Sequence, residues 1–276
     1  RMSVFVNALE ESRNSFEGCL YSAVLAIHRE RWEQASRLLS KGRETLDAEL
    51  TALVGESYTR AYRSLVKAQQ LAELEEVIKY KTTHRAETRQ NITDMWTARL
   101  NGCQHSVEVW QAILQIRSIV IPPTEDLAKW LKFSSLCRRS SRLDLAVKTL
   151  NQLRRDPVAA SDPRFVLGDL KNQYATGLKS QTCEAMKKFL GEQRTGPPGA
   201  PASLIARCHV KMGLWRREVY EEETLSAYSK DSAVSREVLG WFNSAIELNG
   251  EYAKAWNAWA LTNFQVAEAM EAAASR

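Results

Sequence analysis

The chain reads as an all-α protein, an α-solenoid of helical hairpins, and three observations predict it. Apolar residues recur at three-and-four spacing through almost every stretch. Glycine and proline are scarce, 12 and 7 among 276 residues, so the turn chemistry of β-rich folds is missing. Pairs of helical segments follow one another across short polar joints. With 44% hydrophobic residues the chain can bury a large core, as one elongated domain or two compact ones.

The first stripe is Phe16, Cys19, Leu20, Ala23, Val24 and Ile27. Trp32, Ala35, Leu38 and Leu39 begin the next after a few polar residues, a helical hairpin with a tight loop. From Leu46 to Tyr80 a proline-free run sets Leu46, Leu50, Leu53 and Val54 on one stripe and Tyr58, Ala61, Tyr62, Leu65 and Val66 on another. Gly55 marks a kink or boundary there. Beyond Ala68 a short helix resumes with Leu71, Leu74, Val77 and Ile78, and Glu73, Glu75 and Glu76 lie off its stripe toward water. His84 to Arg117 is a further long pattern through Trp96, Leu100, Trp110 and Ile113, and it stops at Ile121-Pro122-Pro123. Thr124, Glu125 and Asp126 then supply a cap and first-turn negative charge for a helix carrying Leu127, Trp130 and Leu131.

Arg142 to Leu153 forms the next helix, after which Asp156-Pro157 and Ser161-Asp162-Pro163 mark a connection. Gln193 to Ser203, QRTGPPGAPAS, is too rich in Gly and Pro for packed structure and reads as a disordered surface loop. Helices follow at about Leu204 to Met212, near Trp215 to Tyr220, at Val234 to Leu248 and from Tyr252 onward. The organisation is therefore hairpins over 1–192, a loop over 193–203 and paired helices over 204–276. Trp32, Trp96, Trp110, Trp130, Trp256 and Trp259 sit on apolar stripes and belong to the core; Trp215 and Trp241 are left open.

Internal repetition gives the architecture its character. Asn243 to Ala260, NSAIELNGEYAKAWNAWA, resembles the junction between two tetratricopeptide repeats, with Ala245, Ala255 and Ala258 allowing close helix approach and Trp256 and Trp259 filling the space between pairs. Fainter echoes occur at Leu143 to Leu150 and Trp32 to Leu39. Their spacing is irregular, so the hairpins are degenerate tetratricopeptide/HEAT-like units.

Charge and cysteine usage narrow the function classes. The net charge of +5 comes from 38 basic and 33 acidic residues mixed along the chain, which disfavours nucleic acid as a partner. No apolar segment reaches the about 18 to 20 residues that span a membrane, and RMSVFVNALEESRNS holds no hydrophobic signal core, so the expected compartment is cytosolic. Cys19, Cys103, Cys137, Cys183 and Cys208 are widely spaced and read as small buried apolar residues. His28, His84, His105 and His209 are equally scattered, and the adjacent Cys208 and His209 point in different directions on a helix, so no metal is expected.

Catalytic motifs are missing. There is no phosphate-binding glycine loop, nucleophile elbow, paired-histidine metal helix or kinase catalytic loop, and His28-Arg29-Glu30 lacks the aspartate of the kinase triplet. Carboxylate runs such as Glu221, Glu222 and Glu223 sit among polar neighbours and read as a solvated surface. This segment is expected not to be an enzyme.

Leu46 to Lys81 carries a resemblance to a known family, as do Trp96, Arg99-Leu100, Gly102-Cys103-Gln104, Trp110-Gln111, Ile113-Leu114, Arg117-Ser118 and Trp130-Leu131-Lys132. Ser135-Leu136-Cys137, Lys148-Thr149-Leu150, Ala206-Arg207-Cys208, Gly213, Trp215 and Lys254-Ala255-Trp256 continue it. Together these residues resemble the FAT domain of target of rapamycin (TOR) kinases, members of the phosphatidylinositol kinase-related protein kinases. The resemblance implies a helical-repeat segment that wraps a Ser/Thr kinase domain as a clamp without performing phosphoryl transfer, the rapamycin-binding and catalytic domains following it in the parent chain. It implies those domains and other subunits of a TOR complex as partners, and a cytoplasmic place with recruitment to endomembrane surfaces. A segment starting inside a solenoid would also expose the apolar face of Val4, Phe5 and Leu9.

The resemblance further implies a cage for inositol hexakisphosphate as a structural cofactor. The matching positions are Lys132, Arg139, Lys171, Arg207, Lys211 and Lys254; His105 stands where the family has an arginine. Arg207 and Lys211 are four apart and share a helix face, and a dense polyanion needs cations from several elements. Alternatively each lysine or arginine beside a tryptophan lays its stem on the ring and its charge in water. A second functional reading is a freestanding tetratricopeptide-type adaptor that takes a partner's peptide in its groove.

Overall fold

A computed structural model describes residues 15–195, 200–224 and 227–275. Among them every regular element is helical, in the all-α helical-repeat class that the periodicity predicts. The apolar Val4, Phe5 and Leu9 lie outside the described residues. The chain divides into two compact units, one through Asp126 and one from Leu127.

The first unit holds α1 (Phe16–His28), α2 (Trp32–Glu56), α3 (Tyr58–Thr82), α4 (Ala86–Gly102) and α5 (Val107–Arg117). Ser15 caps α1 by accepting the Gly18 N–H at 3.1 Å, and Glu17 lies in the positive first turn. Ala23 and Ile27 of α1, Ala35 and Leu39 of α2, and Leu71 and Leu74 of α3 form its core. Gly42 lets α2 approach α3 closely, because a Cβ there would stand 3.3 Å from the Leu71 side chain.

Three readings are corrected in this unit. The chain breaks at Ser57, which is extended, and α3 then runs unbroken through Ala68 to Thr82. The expected longer helix followed by a short one is thus two helices of 25 residues each. The pattern from His84 to Arg117 likewise breaks at Cys103, also extended, separating α4 from α5. Glu73 does not face water: it is buried and takes two hydrogen bonds from Arg117. Glu76 accepts from Trp96 Nε1 at 2.6 Å and from both Arg99 terminal nitrogens at 2.8 Å. Glu75, the third of the set, is partly exposed and pairs with Arg43.

The second unit holds α6 (Leu127–Arg139), α7 (Leu143–Leu153), α8 (Pro157–Ser161), α9 (Pro163–Ala175), α10 (Lys179–Thr195), α11 (Ala202–Thr224), a 3-10 turn (Tyr228–Lys230), α12 (Ser232–Leu248) and α13 (Ala253–Ala274). Thr124 to Asp126 form a turn on Pro122, whose carbonyl accepts from both Glu125 and Asp126, ahead of α6. The two Asp-Pro pairs start helices: Asp156 caps α8 and Asp162 caps α9, each followed by proline at the first helical position, where no N–H is needed. Helix α10 runs in as far as Thr195 and α11 starts at Ala202, so the expected loop over 193–203 is shorter at both ends; residues 196–199 lie outside the described set. Those two helices share one core through Met186, Leu190, Leu204 and Cys208, which is why the compact division falls at Asp126 and not at this Gly/Pro-rich segment.

Helix α11 is continuous, where two shorter helices were expected. Its Gly213 allows contact instead of breaking the helix: a Cβ there would lie 2.6 Å from the Phe242 ring of α12. Trp256, assigned to the core, is 47% exposed, with its indole N–H donating to the Gly250 carbonyl at 2.7 Å. Trp259 is partly buried against the α11–α12 core, as is Ala258, while Ala245 and Ala255 are fully buried. Trp215 is buried in α11, and Trp241 of α12 packs partly buried against the same core, its ring centre 5.4 Å from that of His209.

Three hairpins close with the same device. Glu30, Ser141 and Gly177 take positive φ of 57°, 58° and 98°. The N–H one residue further on then reaches back five residues, Arg31 to Ala26, Arg142 to Cys137 and Leu178 to Gln173. This pairing satisfies carbonyls at the helix end and turns the chain sharply.

Candidate anion-binding cleft

Four helices of the second unit each turn one stripe toward a common cleft of about 590 Å³. Helix α6 presents Ser135, Arg138 and Arg139; α9 presents Lys171, Tyr174 and Ala175; α11 presents Arg207, Val210, Lys211, Leu214, Trp215 and Arg217; α13 presents Lys254, Asn257, Ala258 and Leu261, with Tyr252 just before it. Each set has the three-and-four spacing of a single helix face. Seven of the lining side chains are basic and none is acidic.

Packing explains why the charges stay there. Tyr174 and Trp215 stack at 4.4 Å with an interplanar angle of 8°, joining α9 to α11 beneath the cationic heads. Leu170 on α9 and Cys208 and Met212 on α11 belong to the same core. Lys171, Arg207 and Lys211 are therefore carried by helices packed into one core, with Lys171 and Lys211 half-buried and Arg207 exposed. Arg139, Lys171, Arg207, Lys211 and Lys254 make no ion pair with a carboxylate among the described residues. Arg138 donates to Ser135 Oγ at 3.3 Å, and Arg217 lies over the Tyr228 ring at 5.4 Å.

The electrostatic consequence is an unbalanced positive site. Burial, and then Arg207, Lys211 and Arg138, lower the Lys171 ammonium to about 8. Burial, followed by Arg138 and Lys254, holds Lys211 below the ordinary lysine range. Arg138 is lowered by burial and by Arg139. Like charges crowd each other here, an arrangement that an anion relieves.

Of the six positions named from the resemblance, the structure brings together Arg139, Lys171, Arg207, Lys211 and Lys254. Lys132 is exposed one turn before Ser135 on α6 and is not part of the lining. His105 belongs to the first unit, where its ring stacks on Trp110 at 5.8 Å. Sequence reasoning missed Arg138, Tyr174, Arg217 and Asn257. All four had a readable signal, since Arg138, Tyr174, Arg217 and Asn257 each lie three residues beyond another lining position on their helix, Ser135, Lys171, Leu214 and Lys254. Among the described residues no cluster of His, Cys, Asp and Glu could hold a metal, all five cysteines are free and buried, and no helix is long and apolar enough to cross a membrane.

Fold and cleft together define an all-α helical-repeat protein with a concentrated basic site. The family model for the FAT domain matches residues 1–276, and the chain belongs to that family. It is similar to the serine/threonine-protein kinase TOR of Arabidopsis thaliana, 37% identical over 91% of this chain, and to mTor of Drosophila melanogaster, 35% identical over 99%. With the serine/threonine-protein kinase TOR2 of Saccharomyces cerevisiae it shares 36% identity over 89% of its length. In each case the chain spans 11% of the relative's own length.

Proposed function

We propose that the chain is a regulatory and scaffolding FAT segment of a target of rapamycin Ser/Thr kinase that clamps the parent chain's kinase domain, and that its cleft holds inositol hexakisphosphate as a structural ligand. Membership in the FAT family and similarity to TOR kinases support the first part. The observation that carries the second is the convergence of basic side chains from four helices on one cleft with no acidic lining. Its partners on this reading are the kinase and rapamycin-binding domains and other subunits of a TOR complex, in cytoplasmic nutrient and growth signalling at endomembrane surfaces.

The physical logic is cross-linking. A ring bearing six phosphates offers charge-assisted hydrogen bonds in all directions, and each arginine can engage a phosphate through two N–H groups. One such ligand would tie α6, α9, α11 and α13 together and offset their mutual repulsion. An apolar or neutral peptide would leave those charges uncompensated, which weighs against the adaptor reading.

Thermal unfolding of the chain with and without inositol hexakisphosphate tests this. A ligand at a hundred times its dissociation constant adds about 2.7 kcal/mol of stability, so a clear rise in Tm is expected. Combining Arg207→Glu with Lys211→Glu abolishes that rise, and Lys132→Glu leaves most of it. A melting temperature indifferent to the ligand would sink the proposal.

A further inference from the structure

Lys171 occupies a distinctive place in the cleft. It projects from α9 between Leu170 and Asn172, both buried, and its neighbours in charge are cations: Arg207 and Lys211 from α11 and Arg138 from α6. Arg139 of α6 and Lys254 of α13 complete the wall around it. Nothing acidic pairs with it among the described residues. The Glu218 carboxylate, nearest in influence to Lys211, is held by Lys179 at 2.8 Å. The Cys208 thiol is pushed up to about 11 by burial and stays neutral, and the Tyr174 phenol is raised by burial and stays neutral as well. The lysines lining the cleft are Lys171, Lys211 and Lys254, of which burial and neighbouring cations lower Lys171 and Lys211, and a lysine can surrender its proton where an arginine cannot.

We propose that polyanion binding in this cleft is coupled to proton uptake by Lys171, so that affinity for the ligand is set by pH in the neutral-to-alkaline range. The proposal rests on the reading of the cleft as a polyphosphate site. In the empty cleft, burial and three cationic neighbours favour the neutral amine; a bound polyanion reverses the sign of the local field and favours the ammonium. Deprotonation lies near 8 when the cleft is empty. Below that pH the lysine is charged in both states and contributes no pH dependence. Above it the empty cleft gives up the proton, binding must recapture it, and affinity falls by up to about tenfold per pH unit from this group. The site thus loosens its ligand as the surroundings become alkaline.

The test separates this inference from the reading beneath it. The probe is myo-inositol hexakissulfate, whose sulfate esters stay fully ionised, alongside the hexakisphosphate itself. Titration calorimetry at about pH 8 in two buffers of different ionisation enthalpy counts protons; uptake of about half a proton per ligand is expected. Lys171→Arg keeps the charge but cannot titrate, and it loses most of that uptake and of the alkaline fall in affinity, whatever its affinity at lower pH, Lys211 supplying the remainder. In parallel, the Lys171 side-chain resonance of the unaltered chain reports a midpoint near 8 when empty and a higher one with ligand. Hexakissulfate binding with equal proton uptake in both proteins, or a Lys171 midpoint unmoved by ligand, overturns the coupling and leaves the polyphosphate site standing. Absence of binding by either probe at any pH overturns both.

Discussion

Glu73 and Arg117 form a bidentate ion pair across 44 residues of sequence, with donor–acceptor distances of 2.8 and 2.7 Å and side-chain exposures of 0% and 3%. The pair joins α3 to α5, and the guanidinium lies 5.5 Å from the ring centre of the buried Trp96 of α4. Three helices of the first unit therefore meet on one charged contact inside an apolar core.

Breaking this pair is costly because it strands a charge away from water. Glu73→Ala or Arg117→Ala is expected to destabilise the chain by about 3 to 5 kcal/mol in urea unfolding followed by circular dichroism. Replacing both together, as Glu73→Leu with Arg117→Met, is expected to cost far less, because no unpaired charge remains. A double variant as unstable as either single one contradicts this account.

Gly213→Ala places a methyl where Phe242 Cε1 already stands 2.6 Å away. Phe242 is fully buried and has little room to move. Overpacking of this kind costs about 1 to 3 kcal/mol. Adding Phe242→Leu is expected to recover part of the loss, which a cause in helix propensity would not predict, since alanine favours helix over glycine.

The hairpin turn at Ser141 carries a side chain in the left-handed region, where Gly177 occupies the corresponding turn between α9 and α10. Ser141→Gly relieves that conformation and is expected to add about 1 kcal/mol of stability, and Gly177→Ala to remove a similar amount. Equal and unchanged midpoints in both variants would refute the assignment of a shared turn geometry.

Lys171 also sets a pH dependence of folding. Its folded-state value of about 8 lies below the ordinary lysine value of 10.5. Between those limits the unfolded chain binds more protons than the folded one, so the ligand-free chain gains stability from this group as pH rises from about 8 to about 10. Lys171→Met flattens that gain in denaturation series across pH. It also raises ligand-free stability at neutral pH and weakens stabilisation by polyphosphate, because the same cation opposes folding and favours the ligand.

How far the residues alone led can be seen in particular places. The stripes through Phe16 to Ile27 and Val234 to Leu248 became helices at nearly the expected bounds, because amphipathic periodicity is a local property written at three-and-four spacing. The break at Ser57 falls two residues past Gly55, between the two stripes read there, whereas Cys103 was passed over, since one extended residue between two apolar stripes leaves little trace in the pattern. The cleft was reached through the family resemblance and not from spacing, except that Arg207 and Lys211 share a face by virtue of being four apart.

By itself, the sequence determined the helical class and the family, which follow from short-range periodicity and from ordered identities along the chain. Only the tertiary structure decided that Glu73 is buried, that Gly213 is a point of contact, that Trp256 is exposed, and that five of six named cations face one cleft while Lys132 does not. The reason is physical. Whether a charge off an apolar stripe meets water or a partner depends on what a distant segment brings to it, and Arg117 for Glu73, Phe242 for Gly213 and Arg138 for Lys171 arrive only when the helices pack.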